Sequence, residues 1–207
     1  FHGLALSLPT QEAARLRRQA EALGLQAVYP DRPVQATLRE SVPLIGAPQV
    51  WALRDGQGLP ATGQGVRVAV IDTGIDYTHP DLGGGIGPGH KVITGYNYID
   101  GTTNPMDNHG HGTHVAGIIA ANGQLRGVAP DAALLAYKVL DRAGEGLESD
   151  VMAAIERALV DGAHVINLSL GGGGNPNDPM SQAVDAAADA GAVVVVAAGN
   201  GGRYGGL

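Results

Sequence analysis

The chain has 207 residues, 44% of them hydrophobic and 33 of them glycine, with a formal net charge of -7. That balance suits a Gly-rich α/β protein and excludes a disordered chain, and the acidic surplus argues against nucleic acid as the main partner. No segment reaches the roughly 18 apolar residues of a membrane span, and the absence of cysteine removes disulfides, thiol chemistry and cysteine-type zinc sites. The chain opens at Phe1 with no signal peptide, which gives the expectation of a processed N-terminus.

Residues 1–38 read as strand, helix, strand. Leu4–Leu8 alternates loosely, Thr10 is placed to cap a helix with Glu12 in its first turn, and Gly24 stops it. Ala14, Leu16, Ala20 and Leu23 are spaced for one apolar face, and Arg15, Arg17 and Arg18 read as a solvated one. Leu25–Tyr29 is the second strand, broken by Pro30-Asp31-Arg32-Pro33. This small α+β unit is too small to be stable alone with confidence. Residues 39–65 form a Pro- and Gly-rich connector with irregular helix, in which Trp51, the single tryptophan, is expected to anchor the arm to a surface.

From Val66 the pattern alternates. Strands are expected over Val66–Ile71, Ala133–Leu140, Val165–Leu170 and Val193–Ala197, and helices over His111–Ala121, Leu147–Asp161 and Pro179–Ala190. Continuously apolar strands separated by helices predict an α/β fold, a doubly wound and mostly parallel sheet covered on both faces. Such sheets place their chemistry beyond the carboxyl ends of the strands. Those ends deliver Asp72, the run Asn167-Leu168-Ser169-Leu170-Gly171, and Ala197-Ala198-Gly199-Asn200, while His109-Gly110-His111-Gly112-Thr113-His114 opens a helix nearby. An Asp, a His and an Asn converging on one rim are three parts of an acyl-transfer site.

Ile71-Asp72-Thr73-Gly74, His111-Gly112-Thr113-His114-Val115-Ala116-Gly117 and Asn167-Leu168-Ser169-Leu170-Gly171 resemble the signatures of the subtilisin-like serine proteases, in order and spacing, across residues 66–200. The resemblance, nearest to large extracellular bacterial subtilases, implies a secreted serine endopeptidase with polypeptide substrates. His111 is then the base, Asp72 holds its tautomer, and Asn200 donates to the oxyanion. Ser169-Leu170-Gly171 and Gly144-Glu145-Gly146 become two edges that pair with an extended substrate, with Ala197 and Gly199 beside them. Glu145 and Glu148 hint at tolerance for basic side chains. Catalysis of this kind requires no cofactor. Structural calcium is an expectation at Asp81, which matches a ligand of the family, although the loop Asn122–Gly127 is shorter than the family's usual calcium loop. Residues 1–38 resemble the end of an inhibitory propeptide, ending in Val28-Tyr29-Pro30-Asp31-Arg32. Residues 34–38 are expected to lie product-like in the cleft, and the cleavage point falls somewhere in 34–48. Residues 39–65 then form the connector and N-terminal arm, and 66–207 the N-terminal part of the catalytic domain.

The family's nucleophile sits in a Gly-Thr-Ser-Met-Ala-like segment, and Ser7, Ser41, Ser149, Ser169 and Ser181 all lack that context. The expectation is that the serine belongs to a C-terminal part beyond residue 207, making that part a partner of this one. Two other readings stay open. One is an inactive relative or an inhibitory fragment. The other is a zinc hydrolase using His109, His111 and His114, with His164 as a further ligand, against which Thr113 stands where such motifs carry an acid. His114 otherwise reads as a helix residue hydrogen-bonded inside the fold, and His109 as a loop residue.

Overall fold

A computed structural model describes residues 8–25, 28, 38–56, 58–172 and 176–199, with side chains from residue 41 onward in the second of two units, 1–36 and 37–207. The strands expected over 4–8 and 25–29, the segment 34–37 and Asn200 lie wholly or largely outside the described residues.

In the first unit Thr10–Arg18 forms helix α1. Pro9, not Thr10, occupies the cap, because its fixed φ of -55° already leads into the helix and Thr10 becomes the first helical residue. The α-helix ends at Arg18, earlier than Gly24 suggested. The Gln19 N–H is shared between the Arg15 and Leu16 carbonyls, which tightens the chain into a 3-10 turn over Glu21–Leu23 that Gly24 closes. Arg15, Arg17 and Arg18 are exposed at the negative end of the helix dipole.

The second unit begins with helices α2 (Leu38–Leu44) and α3 (Ala47–Trp51). Trp51 fixes this arm: its Nε1–H donates to the Val128 carbonyl at 2.8 Å, and the Arg126 guanidinium lies 4.6 Å from its ring centre.

Strands β1 (Arg67–Asp72), β2 (Val92–Asn97), β3 (Ala133–Lys138), β4 (Val165–Leu168) and β5 (Val193–Val196) form one parallel sheet in the order β2-β3-β1-β4-β5. Helices α4 (His111–Ala120), α5 (Glu148–Val160) and α6 (Pro179–Asp189) cover it. The period of two along β1 sorts the core. Ala69 and Ile71 join Leu135, Tyr137, Ile155 and Ala187 on the α5–α6 face, while Val68 and Val70 join Leu134, Val115, Ala116 and Ala120 on the α4 face. Leu135, Ile71 and Ile155 are almost wholly buried, each contributing about 1.5–3 kcal/mol.

Strand β2 is absent from the expected elements. Gly95 interrupts its sequence, yet a side chain there would meet the Ala136 carbonyl at 2.3 Å, so glycine is what lets β2 approach β3. Strands β3, β4 and β5 end one or two residues earlier than expected, and β1 runs one residue further, to Asp72. Past Lys138 the Val139 and Leu140 N–H groups turn to the Asp72 carbonyl, and Leu140 pairs back with Gly146. At the opposite margin β5 is the outer strand, with Val193, Val195 and Val196 exposed by 60, 49 and 52%. Among the described residues no helix is long and apolar enough to cross a membrane.

Candidate active site

All five strands run the same way, so their carboxyl ends share one rim. Asp72 closes the central strand β1 and is fully buried. Its Oδ1 accepts the Thr73 N–H at 2.7 Å and lies 2.7 Å from Nδ1 of His111, the first residue of α4. A carboxylate oxygen can only accept here, so Nδ1 carries the proton and Nε2 is left basic. The His111 side chain is 43% exposed and lines the cleft. The other oxygen, Asp72 Oδ2, is buried and has no hydrogen-bond partner among the described residues.

The pair is held by a residue that sequence reasoning missed. The cap position before helix α4 is Gly110, which has no side chain to cap it, and Asp107 supplies the cap instead. Its Oδ1 accepts from the His109 and Gly110 N–H groups, each at 2.9 Å, and from Thr73 Oγ1 at 3.0 Å. Its Oδ2 accepts from the Thr113 N–H at 2.9 Å and Thr113 Oγ1 at 2.6 Å. Burial opposes the charge on Asp107, but the hydrogen bonds from Gly110, Thr113 and His109 outweigh it and hold the carboxyl below its ordinary value. Thr73 Oγ1 in turn accepts the Gly112 N–H at 2.9 Å. Gly112 sits so close to β1 that a Cβ would lie 2.1 Å from the Gly74 carbonyl oxygen and 3.1 Å from Asp72 Cβ. The glycine beside the histidine is therefore a packing requirement. An Asp four residues before a His-Gly-Thr helix start was the available sequence signal.

Lys138, at the end of β3 and in register with Asp72, is the second residue missed. It is buried, and its Nζ donates to the Thr73 carbonyl, Asn108 Oδ1 and the Leu140 carbonyl.

A cleft of about 1020 Å³ opens beside His111. Gly144 and Gly146 line one part of it, and Ser169, Leu170, Gly171 and Ala197 another. Residues 140–146 make a tight turn in which Asp141 Oδ1 accepts the Ala143 and Glu145 N–H groups. Ser169 Oγ accepts from Asn167 Nδ2 at 2.9 Å. Ala197 is bonded through its N–H to the Leu168 carbonyl, and Gly199 follows with a positive φ of 78°. Glu145 and Gly199 are not among the lining residues, whereas Glu148 is.

The histidine-rich run does not assemble a metal site. His109 is in a loop and its Nδ1 accepts the His111 N–H, His114 is exposed on α4 instead of bonded inside the fold, and His164 Nδ1 accepts the Arg67 N–H at the far end of β1. His114 points outward because Val115 and Ala116 take the core-facing positions of the same turn. No group of three His, Cys, Asp or Glu side chains among the described residues is placed to hold a metal ion. At Asp81 the short loop does the work that a cation would do. Oδ1 accepts the Gln124 N–H at 2.8 Å and Oδ2 the Leu125 N–H at 3.0 Å. The bond from Leu125 leads in holding this carboxyl below its ordinary value. Donors so arranged serve an acceptor, and the residues present do not fit the calcium site that the resemblance implies.

The sequence pattern of the subtilase family matches residues 63–206. The minor extracellular protease Vpr of Bacillus subtilis is 39% identical, with 99% of this chain and 27% of the relative covered. Thermitase of Thermoactinomyces vulgaris is 40% identical, with 84% of this chain and 59% of the relative covered. A crystal structure of a cold-adapted subtilisin-like serine proteinase matches with a TM-score of 0.59 and 34% identity, over 67% of this chain and 48% of that one. The chain thus spans 27% and 59% of the length of these two curated relatives. With a family pattern matched over most of its length and the subtilisin-like fold beneath it, the chain belongs to the subtilase family of serine proteases.

Proposed function

We propose that this chain supplies the base, its orienting acid and the substrate edges of a secreted serine endopeptidase. The observation that carries the reading is the 2.7 Å contact between buried Asp72 and half-exposed His111 at the mouth of the cleft. In this reading a serine hydroxyl gives its proton to His111 Nε2 as it attacks the scissile carbonyl, and Asp72 stabilises the imidazolium that forms. Asn200 donates a side-chain N–H to the oxyanion. His111 then returns the proton to the leaving amine, and water hydrolyses the acyl-enzyme. The steps need no cofactor. The substrate lies extended between 144–146 and 169–171, contributing backbone hydrogen bonds to both, which suits broad sequence tolerance.

The nucleophile comes from sequence outside residues 1–207. The open apolar edge of β5 supports this, since among the described residues only β4 pairs with this exposed valine strand, whose other edge is a surface for further sheet. Residues 1–38 act as an inhibitory propeptide in the same reading, and the extracellular assignment in the name of one relative supports secretion.

The test is a serine-directed fluorophosphonate applied to the intact protein that contains this chain, read by mass. A single covalent adduct, abolished by His111→Ala, is expected. An unlabelled protein that also cleaves no peptide would overturn the protease reading in favour of an inactive or inhibitory relative.

A further inference from the structure

We infer that Lys138 is a positioning residue that ties the Asp72–His111 pair to the substrate edge, an inference that rests on the protease reading of those two residues. Lysine is almost never fully buried without a partner, yet Lys138 is only 2% exposed. Its ammonium has three donors, and all three are used on uncharged oxygens: the Thr73 carbonyl at 2.7 Å, Asn108 Oδ1 at 2.9 Å and the Leu140 carbonyl at 2.8 Å. No carboxylate bonds to it among the described residues.

The identity of the acceptors gives the inference its content. Thr73 follows Asp72 directly. Asn108 lies in the loop that delivers His111, next to the capping Asp107. Leu140 begins the turn 140–146 that lines the cleft. One side chain therefore crosslinks the three strand-exit segments from beneath the site. An apolar residue of the same length would leave the Thr73 and Leu140 carbonyls and the Asn108 amide oxygen without their donor.

The ammonium is also a fixed positive charge behind Asp72, whose Oδ2 has no hydrogen-bond partner among the described residues. Burial lowers the Lys138 pKa, and Asp107, Asp100, Asp141 and Asp72 work against that loss. The other titratable groups around His111 are Asp72, His109, Asp107, which caps the same helix, and Glu148 across the cleft. Removing the cation leaves the carboxylates behind the pair without their compensating charge.

The experiment is an NMR titration of His111 in the intact protein, with its resonance assigned by loss in His111→Gln, alongside kcat/KM against pH on a peptide substrate. Lys138→Met is expected to raise the His111 midpoint and the acid limb of kcat/KM together by about half a pH unit, with a loss of roughly tenfold or more at the optimum. Asn108→Ala keeps the charge and removes one tether. It is expected to lower kcat/KM about three- to tenfold with the His111 midpoint unmoved. An unmoved His111 midpoint in folded Lys138→Met reduces the lysine to a structural role and overturns the inference. If Lys138→Met does not fold, unchanged kcat/KM in Asn108→Ala overturns it. The titration reads whether or not peptides are cleaved, so an inert wild type refutes the protease reading alone.

Discussion

Thr73 Oγ1 donates to Asp107 Oδ1 at 3.0 Å while accepting the Gly112 N–H at 2.9 Å. One hydroxyl thereby joins the residue after Asp72 to both the cap and the first turn of the helix that carries His111. The orientation of the pair is set by this link as much as by the pair's own contact. Asp107→Ala strips the acceptor from three N–H and two hydroxyl groups at once. It is expected to cost about 2 kcal/mol or more in urea unfolding and to disturb the His111 resonance.

The same carboxyl gives a pH signature. Its folded pKa lies below the ordinary value of 3.8, so its stabilisation is fully present above that value and is lost as pH falls through the lower folded one. In Asp107→Asn the fall in unfolding free energy between about pH 4 and pH 2 is expected to be shallower than in the wild type. Parallel urea titrations at several pH values check this.

His111→Ala in the intact protein is expected to lower kcat on a peptide substrate by about 10⁴–10⁶-fold with KM little changed, since a general base acts in the transition state and the triad works as a unit. Asp72→Asn is expected to reduce kcat as well. Its amide can present either oxygen or nitrogen to Nδ1 and no longer enforces the tautomer. A rise in KM with unchanged kcat for either variant would contradict the assigned roles.

Gly112→Ala places a methyl group where only 2.1 Å separates it from the Gly74 carbonyl oxygen. The backbone on both sides must move, at about 1–3 kcal/mol. A lower thermal midpoint together with slower fluorophosphonate labelling is the expected outcome.

Asp81 offers a test of metal dependence. Asp81→Ala leaves the Gln124 and Leu125 N–H groups without their acceptor and is expected to destabilise by about 1–3 kcal/mol. The difference between wild type and variant should be the same in calcium and in chelator. A difference that appears only with calcium would restore the metal site.

The parallel sheet was legible because β1, β3, β4 and β5 are unbroken apolar runs between amphipathic segments. β2 was not, because Gly95 and the polar Thr94 and Asn97 disguise a strand whose pairing depends on close approach to Ala136. Asp72 and His111 were legible through short motifs at strand and helix ends. Asp107 and Lys138 were not, because almost every partner they have is a backbone group or a hydroxyl. Backbone partners leave no trace in a sequence, and only the fold brings these ones together. His114 was misplaced inside the fold because histidine is compatible with either face of a helix. Its neighbours Val115 and Ala116 decide the matter.

Trp51 has an optical consequence. It is the sole indole in 207 residues, and it sits in the arm with its N–H on the Val128 carbonyl and a guanidinium against its ring. Intrinsic fluorescence excited at the indole therefore watches one place. Detachment of the arm would change the emission colour of that single reporter while the sheet stays silent, so arm release can be timed separately from unfolding without attaching a dye.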